Sequence, residues 1–272
     1  MDIYFQAVIL GIVEGVTEFL PISSTGHLII VNRFINFGGD FAEMFDIVIQ
    51  LGAILSVIVY FWNRLAPWGA DKTPVQKKEV WTLWSKTIVA VIPALAIGAA
   101  FEHAIKRHLF HPSVVATTLI IGGILLLLIE SRKKSPALLS VSEITYKTAL
   151  FIGMIQCLAM IPGTSRSAAT IIGAMLLGAS RAAAVEFSFF LAIPTMIAAS
   201  AYSLLKHGTS LRVVEWQALA VGFAVSFFVA WGIVAFLMNF IRKHDFKPFG
   251  YYRIALGCII ASLIFFRLFS AQ

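Results

Sequence analysis

The sequence predicts an all-α polytopic membrane protein, built as an inverted-topology repeat of six transmembrane helices and two re-entrant helical hairpins. Three observations predict this class. Of the 272 residues, 59% are hydrophobic and only 13% are charged, whereas soluble globular proteins have about 25% charged residues. Six stretches are apolar over roughly the 20 residues that a helix needs to cross a bilayer. Two pairs of shorter apolar stretches are each interrupted by a proline.

The six predicted spans carry at most one acidic or basic residue each. A helix satisfies all of its backbone hydrogen bonds internally, so such stretches are stable in hydrocarbon. The predicted spans are residues 45–62, 81–101, 114–129, 185–205, 216–241 and 249–266.

The shorter apolar stretches predict two helical hairpins. Their arms are residues 3–13 and 28–35 in the first hairpin, and 148–161 and 168–179 in the second. Each turn is a proline followed by small hydroxylated residues, PISSTGH from Pro21 and PGTSRS from Pro162. Irregular backbone at membrane depth is tolerated only beside protein or a wet cavity, so we expect a polar site at these turns.

The two hairpins predict an internal duplication. LPISSTGH aligns with IPGTSRSA when the prolines are in register, and an acid follows each proline at a similar distance, Asp46 and Glu186. The first repeat is residues 1–135 and the second is residues 136–272, each a hairpin plus three spans, in one integral membrane domain. An odd number of spans inverts the second repeat relative to the first, and a midplane site is typical of such folds.

Lys and Arg are distributed unequally between the two sets of connections. Connections 63–86, 131–147 and 241–253 hold thirteen of them, and the opposite connections hold four. The larger set predicts the cytoplasmic side, which places both termini outside. The net charge of +7 forms no single stripe, so we expect anionic lipid headgroups and no nucleic acid as partners. The thirteen residues are Arg64, Lys72, Lys77, Lys78, Lys86, Arg132, Lys133, Lys134, Lys147, Arg242, Lys243, Lys247 and Arg253.

Glu14 and Glu18 stand four residues apart in the first hairpin. This spacing puts both carboxylates on one helix face, about 6 Å apart. Two anions so close in hydrocarbon must share a cation, share a proton or face water. The pair predicts a divalent cation site for Mg²⁺, with Ca²⁺ as the alternative, because Mg²⁺ binds one or two carboxylates together with substrate phosphates. Two protonated or interfacial glutamates are the competing interpretation.

A polar run from Ser23 through Ser24, Thr25 and Gly26 to His27 follows the first proline. One hydroxyl is explained by helix capping. The others favour a phosphate site at a helix N-terminus, in which a hydroxyl near His27 is an activated nucleophile. A histidine that only packs in the membrane is the alternative.

Arg166 lies in the turn of the second hairpin, between Ser165 and Ser167. Gly163 allows close backbone approach, and Thr170 follows one helical turn later. Arginine binds phosphate bidentately and stabilises a transferring phosphoryl group. These residues therefore predict the phosphate-binding half of the site, against the alternative of an arginine that reaches the interface.

Three other polar residues are expected to have structural roles. Asp46 and Glu186 are expected to pair with a base or to lie at the interface. Gln156 is expected to be a hydrogen-bonding packing residue.

The segments EGVTEFLPISSTGH, from Glu14 to His27, and PGTSRSAAT, from Pro162 to Thr170, resemble the two signature regions of the undecaprenyl-diphosphate phosphatase family, also called bacitracin-resistance proteins. The resemblance extends over essentially the whole chain. It implies a bacterial inner-membrane enzyme that hydrolyses undecaprenyl diphosphate to the monophosphate and so recycles the lipid carrier of cell-wall synthesis. It also implies a site open to the outer face.

The resemblance implies roles for individual residues. The acidic pair of the family falls on Glu14 and Glu18, its serine and histidine on Ser24 and His27, and its arginine motif on Ser165 and Arg166. A second class of membrane lipid phosphatases requires a histidine where this chain has Ile172, so its phosphohistidine chemistry is disfavoured.

Several alternatives remain open at the level of sequence. The proton of Ser24 can pass to His27 or Glu18, or water can attack directly with Ser24 only a ligand. A secondary transporter or flippase of a phosphorylated lipid is the competing function, since inverted repeats are typical of transporters. A homodimer also stays open.

Overall fold

A computed structural model describes residues 2–68, 72–132, 135–207 and 211–266. Over these ranges the chain forms eleven α-helices and two short 3-10 segments, Val141–Glu143 and Cys157–Met160. The helices are α1 Ile3–Thr17, α2 Ser24–Ile35, α3 Asp40–Tyr60, α4 Trp62–Leu65, α5 Pro74–Leu109, α6 Pro112–Glu130, α7 Tyr146–Gln156, α8 Arg166–Leu176, α9 Arg181–His207, α10 Val213–Phe240 and α11 Lys247–Phe265.

Six of these helices are long and apolar enough to cross a membrane: α3, α5, α6, α9, α10 and α11. The predicted all-α polytopic fold with six spans is therefore confirmed. The largest difference concerns α5, which begins earlier and ends later than the predicted span 81–101. Thr73 and Gln76 cap its start reciprocally, with Pro74 in the first turn, so capping begins this helix within the polar connection.

Both predicted hairpins form, because α1 packs against α2 and α7 packs against α8. Ser23 and Ser165 cap α2 and α8 in the same way. Each has a positive φ, 74° and 69°, and each side chain accepts a bond from the backbone N–H three residues later, at 3.3 and 3.2 Å. That the hairpins leave the membrane on the side they entered stays a prediction.

The matched caps correct the register of the predicted repeat. Ser165 follows Ser23 by 142 residues, whereas Pro162 follows Pro21 by 141. The turns are therefore equivalent from their caps onward with a shift of one residue, and Ser24 corresponds to Arg166. The inverted relation of the two units stays a prediction, which these matched turns support.

Helices of one unit pack on helices of the other. In the first unit α1 lies against α10, and in the second α7 lies against α5; α3 also contacts α9, and α6 contacts α11. Glycines permit the closest approaches. A Cβ on Gly153 would lie 2.0 Å from the carbonyl oxygen of Ala90, and one on Gly11 would lie 2.7 Å from that of Gly222. The two units thus share one interlocked core.

Lys133 and Lys134 lie outside the described residues, as do residues 267–272 of the second repeat and the side chains of Lys106 and Lys206. Lys86 is buried within α5 and donates to the carbonyl of Ser142 at 2.9 Å.

The expectations for the two further acids have different outcomes. Glu186 forms an ion pair of 2.7 Å with Arg64, as expected. Asp46 instead accepts a bond of 2.8 Å from the side-chain amide of Asn32 on α2. Its hydrogen-bond partner is therefore a neutral residue, and the alternative expectation, that Asp46 lies at the membrane interface, stays a prediction.

Candidate active site

Glu18 lies between Ser24 and Arg166 where the two hairpin turns meet. The Ser24 hydroxyl donates to Glu18 Oε2 at 2.6 Å, and Arg166 Nη2 donates to Glu18 Oε1 at 2.9 Å. The side chains of Glu18 and Arg166 are 4% and 10% exposed, so little water screens this ion pair. One carboxylate thus joins the hydroxyl of the first hairpin to the guanidinium of the second.

The Arg166 side chain is held from two further directions. Nη1 donates to the carbonyl oxygen of Ser188 on α9 at 2.9 Å, and the guanidinium lies 5.9 Å from the centroid of the Phe19 ring. The Ser188 hydroxyl is bonded in turn to that of Thr170 at 2.6 Å. Over the part of the chain that the structure describes, Arg166 Nε is buried and has no hydrogen-bond partner.

The serines around Arg166 fix the two turns to each other. Ser167 is fully buried and donates to the carbonyl oxygen of Leu20 at 2.9 Å. Its hydroxyl also lies 3.0 Å from that of Ser165. Ser167 therefore positions the second turn against the first.

Gly163 is required where the second turn passes α6. Its φ is +85°, and a Cβ there would lie 2.3 Å from the hydroxyl oxygen of Thr118. That hydroxyl donates to the carbonyl oxygen of Pro162 at 2.7 Å. A side chain at residue 163 would both strain the backbone and separate the turn from α6.

Glu14 is fully buried one helical turn before Glu18. Neither of its oxygens has a hydrogen-bond partner among the described residues. Its carboxyl group is close enough to that of Glu18 for a hydrogen bond if one of the two is protonated, and the charges of Asp46 and Arg166 act on it. An unpaired buried carboxylate is costly, so Glu14 must hold either a proton or a cation.

The donor set fits a cation that completes its shell from elsewhere. Within the described ranges, no three His, Cys, Asp or Glu side chains converge as a metal site. Glu14 and Glu18 offer two carboxylates, and Mg²⁺ typically binds one or two from a protein when substrate phosphates and water supply the other ligands.

His27 faces away from this cluster. Its Nδ1 lies 2.7 Å from the carbonyl oxygen of Ser23, and its Nε2 lies 2.7 Å from the hydroxyl of Tyr252 on α11. A carbonyl oxygen only accepts, so Nδ1 carries a proton. His27 and Tyr252 line a separate cavity of about 520 Å³ with mostly apolar walls.

The cluster of Glu18, Ser24 and Arg166 opens on a larger cavity of about 710 Å³. Its polar end lies at the two turns, and its remaining wall is mainly apolar side chains of α3, α5 and α9. Six of the residues that the sequence predicts for the site line it: Glu18, Ser24, Thr25, Gly163, Ser165 and Arg166. The other predicted residues lie outside its lining: Glu14, Ser23, Gly26, His27, Ser167 and Thr170.

Two residues near the turns depart from their expectations. Arg253, counted above with a cytoplasmic connection, is fully buried in α11. It donates to the carbonyl oxygens of Pro21, Thr118, Gly163 and Thr164 at 3.0–3.2 Å. Its only sequence signal is that it is the one charged residue inside an otherwise apolar span.

Gln156 is the second departure. It was expected to hydrogen-bond within the packing, but its amide has no partner among the residues described here. It lines the cavity that Ser24 and Arg166 also line.

Comparison with known proteins finds relatives that match nearly the whole chain, including both turns. The family model described as bacitracin resistance protein BacA matches residues 7–259. Undecaprenyl-diphosphatase 1 of Clostridioides difficile is 54% identical over 263 residues, which cover 96% of each chain. The undecaprenyl-diphosphatase of Lactiplantibacillus plantarum is 50% identical over 263 residues, 94% of this chain and 96% of that protein. That of Enterococcus faecalis is 49% identical over 261 residues, 94% and 95% of the two chains.

Proposed function

Because this chain belongs to the bacitracin resistance protein BacA family, we propose that its site hydrolyses undecaprenyl diphosphate to undecaprenyl phosphate and inorganic phosphate. In a bacterium this reaction returns the lipid carrier to cell-wall synthesis and counteracts bacitracin. The contact that supports this best is the 2.6 Å bond from the Ser24 hydroxyl to Glu18, whose other oxygen pairs with Arg166. It joins a nucleophile, a base and a phosphate-binding group.

The cavity has a polar end and a mainly apolar wall, which suits a lipid with a diphosphate head and an isoprenoid chain. The charged and hydroxyl side chains at the turns would bind the diphosphate, with the terminal phosphoryl group beside Arg166. The apolar wall, which includes Leu95, Met160 and Met196, would cover the first isoprene units. The rest of the chain would remain in lipid.

Glu18 would be the general base. Ser24 Oγ attacks the terminal phosphorus while its proton passes to Glu18 Oε2, and the bond from phosphorus to the bridging oxygen breaks as undecaprenyl phosphate leaves. Water then hydrolyses the phosphoserine and releases phosphate. The contacts of His27 with Ser23 and Tyr252 favour a positioning role for that residue over proton transfer.

Glu14 and Glu18 would hold the divalent cation. When bound, Mg²⁺ would neutralise charge on the diphosphate oxygens. Arg166 would stabilise the charge that develops on the transferring group.

The experiment is phosphate release from the lipid diphosphate by purified protein in detergent micelles, where no transport can occur. Arg166→Ala should lower kcat by about 10³ or more, as for other arginines that stabilise phosphoryl transfer. Ser24→Ala should reduce turnover to a similar extent, and quenched wild-type enzyme should carry phosphate on Ser24. Ser262→Ala, a serine exposed on α11, is the matched control.

Three outcomes would contradict parts of this proposal. No phosphate release by the wild type would reject the enzyme in favour of a transporter or flippase. Near-full turnover by Ser24→Ala would reject the covalent route in favour of direct attack by water. Normal turnover by Arg166→Ala would reject the role of the guanidinium.

The orientation in the membrane is part of the same proposal. The protein is a multi-pass membrane protein, and the excess of Lys and Arg supports a cytoplasmic side at connections 63–86, 131–147 and 241–253. The termini and the active site would then face outside. With Cys157 and Cys258 replaced, Ser113→Cys should react with an impermeant maleimide on intact cells, and Lys77→Cys should not. The reverse labelling pattern would show that the protein has the opposite orientation in the membrane.

A further inference from the structure

Gln156 ends α7, and the 3-10 segment Cys157–Met160 connects it to the second turn. The residue is 2% exposed, and neither the amide nitrogen nor the amide oxygen has a partner in the described ranges. Buried amides are normally hydrogen-bonded, because desolvating them without a partner is unfavourable. This amide therefore keeps its donors and its acceptor available.

The unused amide borders the site. Gln156 lines the same cavity as Glu18, Ser24 and Arg166, together with Met160. A ligand that fills the polar end of this cavity would therefore lie beside Gln156 as well as Arg166.

The internal repeat makes Gln156 the counterpart of Glu14. The two residues are 142 positions apart, which is also the separation of the caps Ser23 and Ser165 and of the packing glycines Gly11 and Gly153. Glu14 likewise has no partner among the described residues. At this position each hairpin therefore has a buried polar side chain without a hydrogen-bond partner among the described residues. It is an acid in the first hairpin and a neutral amide in the second.

The two hairpins also differ in the charges that they bring to the site. The first hairpin brings two carboxylates to the site, and the second brings Arg166 and an amide. A carboxylate at residue 156 would repel an anion bound at Arg166, whereas an amide donates to it without changing the charge. The second hairpin is therefore suited to bind the anionic group directly.

We propose that the side chain of Gln156 is a substrate-binding residue that donates from its amide nitrogen to a diphosphate oxygen of the lipid. This inference rests on the proposed function, since it assigns a further residue to that same site. The amide oxygen is then left to accept from water bound with the substrate.

The test compares Gln156→Met with Gln6→Met, in detergent, using farnesyl diphosphate as substrate and inorganic pyrophosphate as a binding probe. Both variants remove a buried amide and keep its approximate volume. Gln6 bonds the carbonyl oxygen of Ile35 at 2.8 Å and lies outside the cavity. Gln156→Met should raise KM and the Kd of pyrophosphate about tenfold with little change in kcat, because bonds to charged groups are strong. Gln6→Met should lower only the thermal stability.

A second variant keeps the test valid if Gln156→Met does not fold. Gln156→Leu removes the same amide with a branched side chain, and it should weaken pyrophosphate binding about as much as Gln156→Met does. KM and Kd within twofold of wild type in both Gln156 variants would overturn the inference. If the wild type released no phosphate, the proposed function would fail, and the pyrophosphate titration alone would still decide the role of Gln156.

Discussion

At the scale of single residues, Glu14 has the least complete surroundings near the site. It is fully buried and interacts chiefly with another acid, Glu18. A bound cation would give both carboxylates a counter-charge, whereas a shared proton would leave the pair with one negative charge. These two states respond differently to removal of metal.

We expect chelation to abolish turnover and added Mg²⁺ to restore it, with Ca²⁺ tested in parallel. Glu14→Gln should raise the Kd of Mg²⁺, measured by calorimetry, by about tenfold or more, because loss of a supporting or ligating group typically weakens metal sites to that extent. Glu79→Gln, an exposed acid on α5, is the control. Unchanged Mg²⁺ binding in Glu14→Gln would instead support the shared proton.

The sequence indicates this residue-scale chemistry only in part. Motif spacing predicts that Glu18, Ser24 and Arg166 are functional, but it carries no information on where a side chain points. His27 follows Ser24 by only three residues, yet its ring contacts Tyr252 on α11. Such contacts depend on how distant helices pack, which one sequence read without its fold does not show.

At the scale of helices, glycine decides how closely α7 approaches α5. The backbone of Gly153 packs so near Ala90 that any side chain would overlap the carbonyl group. Gly232 on α10 provides the opposite case, since nothing among the described atoms lies within 4 Å of the place where its Cβ would be. Substitutions at these two positions therefore distinguish the cost of overpacking from the gain in helix propensity.

Gly153→Ala should lower the free energy of unfolding by about 1–3 kcal/mol, the usual cost of overpacking a core. Gly232→Ala should leave it unchanged or raise it by up to about 1 kcal/mol, through better helix propensity. Thermal unfolding in detergent measures both. Equal melting temperatures for the two variants would show that α7 can move away from α5 at no cost.

Helix positions follow from the sequence more readily than helix contacts do. Long apolar runs predict all six spans because a bilayer constrains length and composition together. The extra turns of α5 do not follow from apolarity, since a capping box begins that helix among polar residues. The packing of α1 on α10 is likewise invisible to a hydropathy pattern.

At the scale of the whole molecule, Arg253 connects both hairpin turns to the third spans of both units. Its guanidinium, carried by α11, reaches Pro21 in the first turn and Gly163 and Thr164 in the second, and it also reaches Thr118 on α6. Arg253 has no acidic partner in the described ranges, so carbonyl dipoles balance its charge. The count of Lys and Arg by connection cannot reveal this role.

Arg253→Met should destabilise the fold by about 2 kcal/mol or more, because several buried carbonyl groups lose their donor. Turnover should fall as well, since the two turns are no longer held together. Arg253→Lys, which keeps the charge but not the planar fork of donors, should be intermediate. Arg132→Met, at an exposed arginine, is the control. Wild-type stability and turnover in Arg253→Met would show that the turns meet without this residue.

Helices of each unit pack on helices of the other unit, and this packing has a consequence for how the protein is made. The ribosome releases α1 first, but α10, against which α1 packs, emerges only after most of the polypeptide has been made. We therefore expect the first hairpin to stay without this packing partner until the last helices are inserted. A truncated half of this protein would lack both a stable core and a reaction centre, and quality-control proteases would be expected to remove it.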